Sequence, residues 1–103
     1  MNKTVDDLIH EYRDKLTSIN SGLFVKKDCS YSDPHTVKLY ANFKNKRVYW
    51  ESFSLINPFK CVQNYTIIPT GDNTLFLKGD NRDLKIICKN SKQKEALFRV
   101  FTL

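Results

Sequence analysis

Apolar residues recur in two rhythms along this chain, and the change of rhythm divides it. Val5, Leu8, Ile9, Tyr12, Leu16 and Ile19 fall at the three-and-four spacing of one helical face, while Asp6, His10, Arg13 and Asp14 fall on the far side. Thr4 followed three positions later by Asp7 is a capping pair. The pattern predicts an amphipathic helix over residues 4–19, ended by Asn20, Ser21 and Gly22, the last able to take left-handed backbone.

From there the period shortens to two. Residues 23–27 (LFVKK) are a short strand candidate, and residues 28–35 around Pro34 read as a loop. Between 36 and 43, Val37, Leu39, Ala41 and Phe43 share one face, and Thr36, Lys38, Tyr40 and Asn42 share the other. Residues 47–56 (RVYWESFSLI) return after a short connection, rich in the ring-bearing and β-branched residues that suit a pleated surface, so the two segments predict a hairpin. Residues 57–60 interrupt the pattern, residues 61–69 (CVQNYTIIP) offer a further strand, and 74–79 with 83–89 flank a tight turn at Gly79–Arg82. Ser91 is the expected cap of a last helix, with Ala96, Leu97, Val100 and Phe101 in one stripe.

Connections this short cannot make the crossover that parallel strands need, so the sheet is expected to be antiparallel. The predicted class is α+β: an N-terminal amphipathic helix, five or six short strands in hairpins or a meander, and a C-terminal helix. A length of 103 residues fits a single domain over 1–103. An apolar fraction of 41% with seven Phe, five Tyr and one Trp excludes a disordered chain.

Charge then narrows the range of partners. Seventeen Lys and Arg against eleven Asp and Glu give +6, and residues 1–20 carry a net −1, so the surplus belongs to the body of the chain. That balance fits nucleic acid or an acidic protein surface. Lys, Asn, Ile, Phe and Tyr, whose codons are mostly A and T, supply 41 of the 103 residues, which points to an AT-rich genome and is by itself a non-functional source of lysine. The N-terminus has acids where a signal peptide needs an apolar run, and no window approaches a membrane span. A soluble, cytoplasmic protein without membrane contact is expected, with Cys29, Cys61 and Cys88 as reduced thiols.

Catalytic chemistry finds little support. With only three glycines there is no phosphate-cradling loop. His10 and His35 read as unrelated surface imidazoles rather than an acid and base pair, Cys29 with His35 lacks the close Cys pair of a zinc site, and Asp72, Asp80 and Asp83 are ordinary turn residues. No enzyme activity, metal or cofactor is expected.

The densest candidate surface is the first hairpin, where Lys38, Tyr40, Lys44, Lys46, Arg47, Tyr49 and Trp50 interleave rings with cations. Single-stranded nucleic acid is held in this way, bases on rings and phosphates on cations, and protein-binding hot spots use the same residue types. If Val48 and Trp50 face inward, then Arg47, Tyr49, Glu51 and Phe53 face outward; a shift of one position exposes Trp50 instead. Helices covering both faces would turn all of these rings into core. Lys89, Lys92 and Lys94 form a second basic group at the start of the last helix, where cations oppose the helix dipole. The leading expectation is a small non-enzymatic binding protein that contacts nucleic acid, single-stranded or in a ribonucleoprotein, or a nucleic-acid-handling machine through this hairpin and the lysine-rich group. A protein inhibitor or adaptor, for example one encoded by a phage or mobile element, is the alternative. A small ribonuclease-type toxin resting on His10 and His35 stands third.

Overall fold

The computed structural model describes residues 3–28, 33–51 and 59–102. Helix α1 is Val5–Thr17, followed by strands β1 Leu23–Lys27, β2 His35–Asn42, β3 Arg47–Glu51, β4 Phe59–Gln63, β5 Thr66–Thr70, β6 Thr74–Lys78 and β7 Asp83–Ile87, and by helix α2 Ser91–Thr102. The class is α+β, as the periodicities predict, with seven antiparallel strands instead of five or six. The sheet order is β4-β3-β2-β1-β7-β6-β5.

The extra strand comes from residues 61–69. Asn64 takes left-handed backbone (φ 57°), which Asn tolerates better than most residues, and the apparent single strand breaks there into β4 and β5. These two lie at opposite edges of the sheet yet are joined by only Asn64 and Tyr65. The sheet must therefore curl until its edges meet. At the meeting corner, Asp80 N–H donates to Gln63 O (2.9 Å), Gln63 N–H to Asn81 Oδ1 (3.1 Å) and Asn64 Nδ2 to Asp80 Oδ2 (3.2 Å). Gly79 allows this approach: a Cβ there would overlap Val62 Cγ1 and lie 2.8 Å from Arg82 O and 2.9 Å from Gln63 O.

One face of every strand turns into the curl. Leu23 and Val25, Val37 to Ala41 at alternate positions, Val48 and Trp50, Val62, Leu75 and Leu77, and Leu84 and Ile86 form one buried cluster with Tyr12 and Leu16 of α1 and Ala96, Leu97, Val100 and Phe101 of α2. The strand registers place these residues opposite one another: Leu39↔Trp50, Ala41↔Val48, Val48↔Val62, Leu77↔Leu84. Both helices pack on this inner side, against each other and against β1, β2, β5 and β6. They do not cover the two faces of the sheet between them.

The helix ends follow local chemistry. Thr4 and Asp7 form the reciprocal cap that their spacing predicts, and α1 stops at Thr17, two residues before the predicted end. Asn90, not Ser91, caps α2, its Oδ1 accepting from Gln93 N–H at 2.8 Å. Among the described residues no helix is long and apolar enough to cross a membrane.

Candidate functional site

With both helices inside, the outer face of β1–β4 carries the odd-numbered residues of β3 and the even-numbered residues of β1 and β2. Tyr40 pairs with Tyr49 across β2 and β3, and Tyr49 pairs with Cys61 across β3 and β4. The two tyrosine rings stack, centroids 5.3 Å apart and planes within 15°, and the Phe59 ring stands edge-on to Tyr49 at 6.0 Å. Phe59 is 52% exposed and Tyr49 half-buried, while Tyr40 is only 7% exposed. Gly22 (φ 71°) makes room beside Tyr40: a Cβ there would lie 2.7 Å from Lys38 Cγ and 3.1 Å from Tyr40 Cε1.

Cations border this row. Arg47 lies opposite Asn42 and Gln63 on the outer side and is exposed. Lys38 sits opposite Phe24, with Nζ 5.7 Å from the Phe24 ring centroid. Glu51, opposite Phe59, is the one acid within the outer rows of these four strands. Lys44 and Lys46 lie in the exposed β2–β3 turn; Lys46 has φ 52°, and its Nζ is 5.5 Å from the Tyr65 centroid.

Trp50 is 3% exposed, faces the core opposite Leu39, and has Lys27 Nζ 5.4 Å from its ring centroid. Of the two registers the sequence allows, the one with Val48 and Trp50 inside is adopted, so this ring is not presented for stacking. Phe53, expected outside in that register, lies outside the described residues.

The lysines of α2 are divided. Lys92 Nζ donates to Lys3 O at 3.0 Å, and Lys94 Nζ donates to Thr70 O at the end of β5. Two cations in a first turn, unfavourable for the helix dipole, are thus engaged in tying α2 to the start of α1 and to β5. Lys89 is exposed and lies elsewhere, on the rim of a cleft with Lys26 and Phe24.

Phe24, 66% exposed, Phe59 and Lys26 belong to the same face, although the ring-and-cation pattern of the first hairpin does not point to them. The signal for Phe24 was present: in the run Leu23-Phe24-Val25-Lys26, strand alternation must send one large apolar residue outward beside a lysine.

The other candidates do not assemble. His10 is exposed on α1, and His35 opens β2 opposite Lys27 instead of lying in a loop. Among the described residues no three His, Cys, Asp or Glu side chains come together as a metal site. Cys61 and Cys88 are free thiols, and burial pushes the Cys88 thiol up to about 11; Cys29 lies outside the described residues. No protein-family model matches this chain, and no curated protein matches it significantly.

Proposed function

We propose that this chain is a single-domain, non-enzymatic binding protein that holds single-stranded nucleic acid on the outer face of β1–β4. One observation carries the reading: rings and cations share a sheet face that both helices leave open. Tyr49 and Phe59 offer ring surface to bases, Lys38 and Arg47 flank them on the same face where phosphates would run, and Lys44 adds an exposed cation in the β2–β3 turn, whereas Lys46 lies over the buried Tyr65 ring. Lys92 and Lys94 are committed to helix packing and take no part.

A second reading has its own support. Phe59 projects from β4, an edge strand, and an exposed ring on a strand edge suits docking of a partner protein, as an inhibitor or adaptor would need.

Fluorescence anisotropy of a labelled oligothymidylate, measured over a range of salt, separates them. Trp50 emission is a poor reporter because that ring is in the core. Nucleic-acid binding requires affinity that falls steeply with salt, and Tyr49→Ala should weaken it by about 1–3 kcal/mol through lost stacking in a variant that remains folded by circular dichroism. Absence of binding at low salt, or binding indifferent to Tyr49→Ala and Arg47→Ala together, would refute the proposal and leave the protein-docking reading.

A further inference from the structure

β1 pairs with β2 from Leu23 to Lys27 but with β7 only at Lys26↔Ile87 and Lys27↔Ile86. The ladder stops because the chain turns away after Ile87: Lys89 N–H donates to Gln93 Oε1 at 2.7 Å, and α2 begins at Ser91. A cleft of about 290 Å³ opens where the missing pairs would be, lined chiefly by Phe24, Lys26, Thr36, Ile87, Lys89 and Gln93. Asp28 N–H donates to Lys85 O, so the even-numbered residues of β1 direct their main-chain groups towards β7. The N–H and C=O of Phe24 therefore face the cleft.

Its charge has one sign. Lys26 and Lys89 line it, Lys38 approaches from over the Phe24 ring, and no acid is among its lining residues. Asp28, which follows β1, is engaged with Lys85 at 3.5 Å. Among the described residues none of these three lysines is in an ion pair. Cations gathered beside an exposed ring, with a main-chain donor and acceptor between them, suit a ligand that is flat and apolar at one end and anionic at the other. The volume is at the low end for ligand sites, enough for one base and too small for a folded element.

We propose that the cleft between β1 and β7 is a subsite for one nucleotide of a bound single strand, its base laid on Phe24 and its phosphate held by Lys26 and Lys89. The assignment rests on the nucleic-acid reading above and adds a defined end-point to it: the strand passes from the Tyr49–Phe59 row across β2 and β1 and ends in the cleft. The backbone of Phe24 offers polar contacts to the base edge, while the apolar side of the cleft, Ile87, lies beside it.

Backbone amide NMR spectra of the ¹⁵N-labelled chain, titrated at low salt with thymidine monophosphate, octathymidylate and hexaglutamate, test this. Both thymidine ligands should shift the amides of Phe24, Lys26, Thr36, Ile87 and Lys89, and hexaglutamate should not. The Lys26→Ala, Lys89→Ala double variant should reduce the slope of log affinity for the octamer against log salt by about 1.4, as expected for two lost phosphate contacts on a single strand. If the octamer moves Tyr49 and Arg47 while the cleft amides stay still, and the double variant loses no more than Lys44→Ala, the subsite is refuted and the nucleic-acid reading survives. If neither thymidine ligand binds, both fall. Cleft shifts with the mononucleotide alone would overturn the strand assignment, and equal shifts with hexaglutamate would overturn the phosphate one.

Discussion

Replacing Gly79 by Ala tests the curled sheet directly, because the closing corner leaves no room for a methyl group. The new Cβ would overlap Val62 Cγ1, a fully buried atom on the inner side of β4, and would press within 3 Å of two main-chain oxygens, Arg82 O and Gln63 O. Neither oxygen belongs to a flexible side chain that could swing aside, so β4 and the β6–β7 turn must separate. Overpacking of this kind costs about 1–3 kcal/mol, and loosening the Asp80–Gln63 and Gln63–Asn81 hydrogen bonds adds roughly 1 kcal/mol each. A total of about 3–5 kcal/mol is a large part of the ~5–15 kcal/mol that holds a domain of this size. Gly71→Ala is the control: nothing lies within 4 Å of its Cβ and its φ is not left-handed, so the substitution should stabilise by about 0.4–1 kcal/mol through the unfolded chain. Urea unfolding reads both, since with a slope of ~2 kcal/mol per M the first midpoint falls by roughly 1.5–2.5 M and the second rises slightly. A Gly79→Ala midpoint within 0.2 M of the parent, on the order of half a kcal/mol, would mean that the edges of the sheet do not meet at this corner.

Two buried groups give further expectations. Cys88, 5% exposed, has a thiol raised from 9.0 to about 11 by burial, so at pH 8 its thiolate fraction is about 100-fold below that of an ordinary thiol, and alkylation followed by mass spectrometry should find Cys61 modified well before Cys88. Because the folded value lies above the unfolded one, this thiol stabilises the fold fully below pH 9 and loses that contribution as pH rises through 11; the loss amounts to roughly 2–3 kcal/mol and should be smaller in Cys88→Ala, whereas equal alkaline slopes would contradict a buried thiol. Tyr65 is buried with no hydrogen-bond partner for its hydroxyl among the described residues, and burial raises its pKa, so Tyr65→Phe should stabilise by about 1–2 kcal/mol and flatten the loss of stability above pH 10; a loss of 1 kcal/mol or more would show that the hydroxyl is bonded.

What the sequence discloses depends on how local the cause is. The Thr4–Asp7 cap, the α1 stripe from Val5 to Leu16, the β2 alternation and the Ala96–Phe101 stripe are set by residues within a turn or two, and each is where the pattern puts it; Ile19, expected on the same stripe, lies past the end of α1 and is exposed. The division of residues 61–69 is hidden because Asn64 sits among strand formers, and the partner its side chain meets at the left-handed turn, Asp80, lies sixteen residues away. Trp50 was ambiguous for a different reason: alternation fixes which residues share a face but not which face is covered, and that choice is made by both helices packing on one side. The α2 lysines looked like a surface patch because their acceptors, Lys3 O and Thr70 O, are main-chain atoms brought near only by the fold.

The same distinction explains why the cleft is invisible in the pattern and the rings are not. Tyr40 and Tyr49 meet through β2 and β3, which a four-residue turn joins, so their proximity follows from hairpin register; Phe59 joins them from β4, although the sequence pattern reads residues 57–60 as a break between strands. Phe24, Lys26 and Lys89 meet only because β1 is shared by two halves of the sheet: β1–β4 on one side and β5–β7 on the other. β1 keeps its full pairing to β2, while its pairing to β7 ends after two residues because the chain turns away after Ile87 towards α2. The two corners are connected through β7, which starts at Asp83 beside the Gly79 corner and pairs with β1 at Ile86 and Ile87 beside the cleft. Loosening the first by Gly79→Ala should also disturb the second, and the amides of Lys26 and Ile87 should shift in that variant although they lie on the other seam of the sheet.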